Sequence, residues 1–170
     1  MKYKRFEELP VWQDAISLAV AVYVLTARGD FKGQSSLRDQ IERASVSVSN
    51  NVAEGFERGT TNELLTFLYI ARGSAGEVRS MLCLLERLPA AFADLKSEIS
   101  NLKSSCERVS RQLGAWAEAL KNSDIKGQRY LNDRSRKVSR AASEREEFLE
   151  ELRRVRDENA ANSRRTASGD

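Results

Sequence analysis

The chain has 170 residues, with 28 Lys and Arg against 25 Asp and Glu, no histidine, two cysteines and two prolines. That length holds one domain with a core of its own, and scarce proline favours long helices over a β-sandwich. The missing histidine removes Ser-His and Cys-His catalysis, His-ligated zinc and the carboxylate-histidine di-iron site of helical bundles. A net charge of +3 leaves any attraction to nucleic acid to local patches.

No run of about 18 apolar residues is present, which argues against a transmembrane helix. Met1 to Glu8 is charged and lacks the apolar block of a signal peptide, so a cytoplasmic protein is expected. Cys83 and Cys106 have no metal-type spacing and are expected to be reduced core residues.

The first predicted helix runs from Pro10 to Arg28, with proline at a first-turn position that needs no N–H. Two adjacent apolar rows can be drawn on it: Val11, Ala15, Leu18, Val22, Leu25, and Trp12, Ile16, Ala19, Tyr23, Thr26. A helix with one buried face needs one row, so the second points to a neighbouring subunit and a homo-oligomer. Arg28 to Gln34 is a glycine-bounded loop, after which Ser35 or Ser36 is expected to cap a second helix reaching Arg58. Its core row is Leu37, Ile41, Ala44, Val48 and Asn51, beside Val52 and Phe56. Ser45 to Ser49 alternates like a strand, yet helical spacing continues on both sides, and a helix is predicted through it.

Gly59 stands where a helix-ending glycine can take positive φ, and Thr60 with Glu63 forms a capping box for a third helix, Thr61 to Arg87. Its rows are Leu64, Leu68, Ala71, Ala75, Val78, Leu82, Leu85 and the nearly as apolar Phe67, Ile70, Ser74, Glu77, Met81, Leu84, Leu88. Gly73 and Gly76 inside it each cost about 1 kcal/mol relative to alanine, a cost that close approach of another helix would offset. Leu88-Pro89 ends it. The fourth helix, Phe92 to Lys121, carries an unbroken seam of Leu95, Ile99, Leu102, Cys106, Val109, Leu113, Trp116 and Leu120. The fold class is therefore all-α, an antiparallel up-down-up-down four-helix bundle over residues 1–121. Residues 122–170 form a basic, charged C-terminal extension, with a weakly amphipathic helix expected over Ser143 to Glu158 and disorder expected over Asn159 to Asp170.

Four blocks occur in order: Phe6-Glu7-Glu8-Leu9-Pro10-Val11-Trp12-Gln13-Asp14-Ala15, Leu37-Arg38-Asp39-Gln40-Ile41-Glu42-Arg43-Ala44, Asn51-Val52-Ala53-Glu54-Gly55 and Phe67-Leu68-Tyr69-Ile70-Ala71-Arg72-Gly73-Ser74. Through them the chain resembles the bacterial four-helix-bundle family of 23S rRNA intervening-sequence proteins, over about residues 6 to 120. That family includes the accessory variability determinant of diversity-generating retroelements. The resemblance implies a barrel-like homopentamer, and with no catalytic constellation in the sequence neither enzymatic activity nor a cofactor is expected. It also implies binding of RNA or DNA and of a cognate reverse transcriptase through a basic surface. Glu42-Arg43 departs from the two basic residues common in the family before the alanine, which removes a positive charge from that surface.

The residues expected to meet phosphate are Lys4, Arg5, Arg38, Arg43, Arg58, Arg72 and Arg79 on the bundle. Lys126, Arg129, Arg134, Arg136, Lys137 and Arg140 form a denser basic arm, with Tyr130 for stacking. A solvated face and a solvated linker are the plain alternatives for the two sets. Glu54 and Glu77 invite a metal or acid–base reading, but no histidine or third ligand accompanies them. Glu54 with Arg58 at i,i+4, and Asn51 as a cross-helix hydrogen-bonding residue, fit a polar network instead. Two functions stand: a nucleic-acid-binding accessory protein, and a protein-interaction scaffold with no nucleic-acid role.

Overall fold

The hydrophobic rows fold into four long helices: α1 (Pro10–Thr26), α2 (Ser35–Glu57), α3 (Thr61–Leu85) and α4 (Lys96–Lys121). The structure, a computed structural model, describes residues 3–88 and 92–123, and beyond them 145, 149–151, 153 and 154. No strand occurs among the described residues. The chain divides into two units, Met1–Arg129 and Tyr130–Asp170. In the second unit the described residues are helical, as the amphipathic pattern predicts, and Arg154 Nη2 donates to Glu151 Oε1 at 2.7 Å. The basic arm, Lys126, Arg129, Arg134, Arg136, Lys137 and Arg140, lies outside the described residues.

In the first unit α1 packs on α2 and α4, α2 on α3, and α3 on α4, which makes a helical bundle. The first row of α1 is the inner one, since Val11, Ala15, Leu18, Val22 and Leu25 are all buried. One end of the core gathers Leu18, Val22, Ile41, Val78, Leu82, Leu95 and Ile99. The other gathers Ala15, Val48, Val52, Leu64, Leu68, Val109 and Leu113. Phe31 and Phe92 close the first end edge-to-face at 5.0 Å, and Phe6 and Trp12 meet at 5.2 Å near the second.

Ser45 and Ser49, the strand-like residues, are buried within α2. Each hydroxyl donates to the carbonyl three residues back, at 2.7 and 3.0 Å, so the buried oxygen stays satisfied. Thr60 Oγ1 accepts from Glu63 N at 3.3 Å and donates to Glu63 Oε2 at 2.8 Å, which fixes the start of α3.

Several expectations need correction. Ser35 and Ser36 are the first residues of α2, and the cap position falls on Gln34, which makes no side-chain cap bond. Gly59 does not take positive φ: α2 ends on an extended Arg58, and among the described residues the left-handed glycine is Gly33, at φ +82° in the loop before α2. The helices are shorter than their patterns. α1 stops at Thr26, α3 at Leu85, and α4 is preceded by a 3-10 turn at Ala93–Leu95. Asn51 does not link helices, because its Nδ2 donates to Ser47 O and Oγ on α2 itself. α2 and α3 are linked instead by Ser47 Oγ to Ser74 Oγ at 3.0 Å and by Gln40 Nε2, which donates to Glu77 Oε1 at 3.3 Å. Nor does a close helix approach require glycine at Gly73 or Gly76, where an added Cβ would meet nothing within 4 Å. The close approach is at Gly55, where a Cβ would stand 2.7 Å from Phe67 Cβ and 3.1 Å from Leu64 Cδ1.

Both cysteines are free thiols, Cys106 buried and Cys83 half-buried. Burial pushes the Cys106 thiol up to about 12. A thiol whose folded pKa is raised keeps its full stabilising contribution below its unfolded value. It loses that contribution as pH rises through the folded value. We therefore expect Cys83 alone to be labelled by a thiol reagent at neutral pH, with Cys106 appearing only in denaturant. Alkaline loss of stability should set in above about pH 9 and be reduced by Cys106→Ala.

Candidate nucleic-acid interface

The row that follows the core positions of α3 carries Arg72, Gly76, Arg79 and Cys83, and the matching row of α4 carries Lys103, Glu107, Ser110, Gly114 and Lys121. These rows meet along the seam between the two helices. At one end Lys121 Nζ lies 5.4 Å from the ring centroid of Tyr69. The hydrogen-bonded Tyr69 hydroxyl raises the Lys121 pKa, which keeps that cation charged.

Next along the seam, the Arg72 guanidinium lies across Gly114, where an added Cβ would be 3.6 Å from its carbon, and its Nε donates to Ser110 Oγ at 3.4 Å. Arg79 Nη2 then meets Glu107 Oε1 at 2.8 Å, and Arg111 Nη1 lies 4.0 Å from the second oxygen of the same carboxylate. Lys103 Nζ pairs with Glu86 Oε2 at 2.7 Å near the far end. Glu107 is thus shared by two arginines, while Arg72 has no acidic partner among the described residues. Exposed pairs of this kind contribute little to stability, so the surplus positive charge is available to an anion.

The other sequence-predicted residues are dispersed. Arg5 pairs with Glu7, and Lys4 is exposed beside it. Arg38 Nε lies 3.5 Å from Asp39 Oδ1, and Arg43 is exposed on α2 without an ion-pair partner among the described residues. Arg58 pairs with Glu54 and sits 5.1 Å above the Phe67 ring. Among the described members of the set, Arg72 and Arg79 alone line the α3–α4 seam. Sequence reasoning missed Lys103, Arg111 and Lys121. A usable signal was present, because Lys103 and Lys121 each directly follow an α4 core-row residue, Leu102 and Leu120.

Glu42, the departure from the family pattern, is half-buried, and its Oε1 accepts from the buried Thr26 hydroxyl at 2.5 Å. That carboxylate ties α2 to α1. Asp14 of the first block does the same between α1 and α4, accepting from Gln112 Nε2 at 2.7 Å and Arg108 Nε at 3.4 Å. Among the described residues no cluster of three acids or cysteines could hold a metal ion, and no helix is long and apolar enough to cross a membrane.

A second surface lies on α1. Val20, Tyr23 and Val24 are 59%, 48% and 66% exposed. A groove of about 680 Å³ runs between this face and Leu102 and Ser105 of α4. Another of about 440 Å³ runs towards Val46 of α2. The second apolar row of α1 is therefore only partly used within the chain: Ala19 and Thr26 are buried, and Tyr23 is not.

Comparison with known proteins agrees with this architecture. A family model described as 23S rRNA-intervening sequence protein matches residues 7–115. A crystal structure from Bacteroides thetaiotaomicron, described as a protein with unknown function from the S23 ribosomal protein family, superposes with a TM-score of 0.56 at 18% identity. The superposition covers 64% of this chain and 98% of that one, and shows a shared fold. No curated protein matches the chain.

Proposed function

The chain belongs to the 23S rRNA-intervening sequence protein family, and from that premise we propose that it is a non-enzymatic, oligomeric nucleic-acid-binding protein that serves as an accessory factor in the cytoplasm. The observation that carries this is the α3–α4 seam, where Arg79 and Arg111 share the single carboxylate of Glu107 and Arg72, held against Ser110, has no acidic partner among the described residues. Phosphate contacts from arginine supply sequence-independent affinity, and a side chain already held in place loses less freedom on binding.

An antiparallel up-down-up-down arrangement is supported by pairings whose numbers run in opposite directions. Gln40 meets Glu77 while Ser47 meets Ser74, and Arg79 meets Glu107 while Glu86 meets Lys103. A homopentamer, as the family resemblance implies, would repeat the seam around a ring and turn a local surplus of charge into a continuous one. A reverse transcriptase is the protein partner that the same resemblance implies. The scaffold alternative draws on the exposed apolar face of α1, which offers a protein surface without phosphate contacts.

The test is fluorescence anisotropy of labelled RNA and DNA with the full chain across a salt series. Binding should weaken linearly in log–log form, by about 0.7–0.9 units of slope per phosphate neutralised. Arg72→Gln should weaken every sequence alike and lower the slope by about 1. Absence of binding at low salt removes this function and leaves the scaffold.

A further inference from the structure

We propose that the α3–α4 seam is a track for an unpaired strand, with Tyr69 as a base-stacking platform beside phosphate contacts from Arg72, Arg79 and Arg111. This rests on the nucleic-acid binding proposed above and commits it to one class of ligand.

Tyr69 is 43% exposed on a seam that is otherwise charged or small. Burying its ring against the protein would have been the cheaper use of an aromatic side chain. Lys121 holds the ring at one side, with its Nζ 5.4 Å from the centroid. Arg72 follows one turn along α3, about 4.5 Å further at helical rise, and Arg79 about 15 Å from Tyr69. Between them Gly76 leaves the helix backbone of the seam row bare, since a Cβ there would meet nothing within 4 Å. Ring, bare backbone and guanidinium groups therefore follow one another in a line along a single helix.

The charges alone would serve a duplex and a single strand equally. The ring does not. In a duplex the π-faces of the bases are already stacked on one another, and only phosphates and groove edges face outward. An unpaired strand can splay a base onto an exposed ring while its phosphates reach neighbouring cations, and every base has such a face. The expected ligand is thus a single-stranded segment, loop or end, bound with little sequence preference.

The test compares a labelled single strand with a blunt duplex of the same sequence, by anisotropy on the full chain. The wild type should prefer the single strand. Tyr69→Leu should weaken single-strand binding by about five- to hundredfold. Its duplex affinity and its salt slope should stay unchanged, because no charge is altered. Tyr69→Phe should restore the wild-type value, and far-UV circular dichroism should be the same for all three proteins. Preference for the duplex, or a Tyr69→Leu protein that binds single strands like the wild type, overturns the inference while nucleic-acid binding itself stands. Binding to neither form overturns both.

Discussion

Gly55→Ala will lower the stability of the fold by about 1–3 kcal/mol, although the same substitution in an open helix gains about 1 kcal/mol. The obstacle is the Phe67 Cβ, 2.7 Å from where the new methyl would stand, with Leu64 Cδ1 and the Leu64 carbonyl oxygen at 3.1 and 3.4 Å. A Cβ and a carbonyl are fixed to the backbone, so a rotamer change cannot clear them, and α2 and α3 must move apart. Gly73→Ala and Gly76→Ala meet nothing within 4 Å and should stabilise by up to about 1 kcal/mol each. Urea titration of the three variants measures this, with unchanged m-values as the check that midpoint shifts report stability. A Gly55→Ala protein as stable as the wild type would mean that the helices are not in contact there.

This reversal shows which part of the fold is legible in a sequence. The rows of α1, α2, α3 and α4 follow from period alone, and the buried sets of α1 and α4 match the expected rows closely. Which of several glycines marks a close approach does not follow from period. Gly55, Gly73 and Gly76 look alike along the chain, and only the lateral position of Phe67 separates them. The cap assignments failed at Ser35 and Gly59 for a similar reason. Either serine can precede a helix, and an extended Arg58 ends α2 without a left-handed residue.

The candidate interface was half visible. Arg72 and Arg79 could be named because they lie in or near a block that identifies the family. Their α4 neighbours could not, because Lys103, Arg111 and Lys121 gain meaning only once α3 and α4 lie side by side. Arg38, Arg43 and Arg58 are equally basic in sequence, yet Arg38 and Arg58 face adjacent acids on α2 and none joins the seam. The resemblance also directed attention to Glu42 as a lost charge at a phosphate surface. Its bond to Thr26 gives the position a packing role that charge counting does not reveal.

If the protein is the homo-oligomer proposed above, Val20→Glu combined with Val24→Glu will reduce it to a monomer without loss of helix. In the isolated chain both side chains are mostly in water, 59% and 66% exposed, so the substitutions cost the monomer little. Ile16, Val20, Tyr23 and Val24 nevertheless form one contiguous apolar strip flanked by two grooves, and large exposed apolar patches mark association sites. Covering each valine with a second copy contributes up to about 1.5–3 kcal/mol, and a carboxylate placed there must instead be desolvated without a partner. Light scattering with size exclusion gives the mass, and far-UV circular dichroism confirms that the helices persist. A wild-type mass equal to one chain would overturn both the oligomer argued from the second row of α1 and the ring of repeated seams. A double variant that keeps the wild-type multimeric mass would place the subunit contact elsewhere, leaving the second row of α1 without the partner its apolar character calls for.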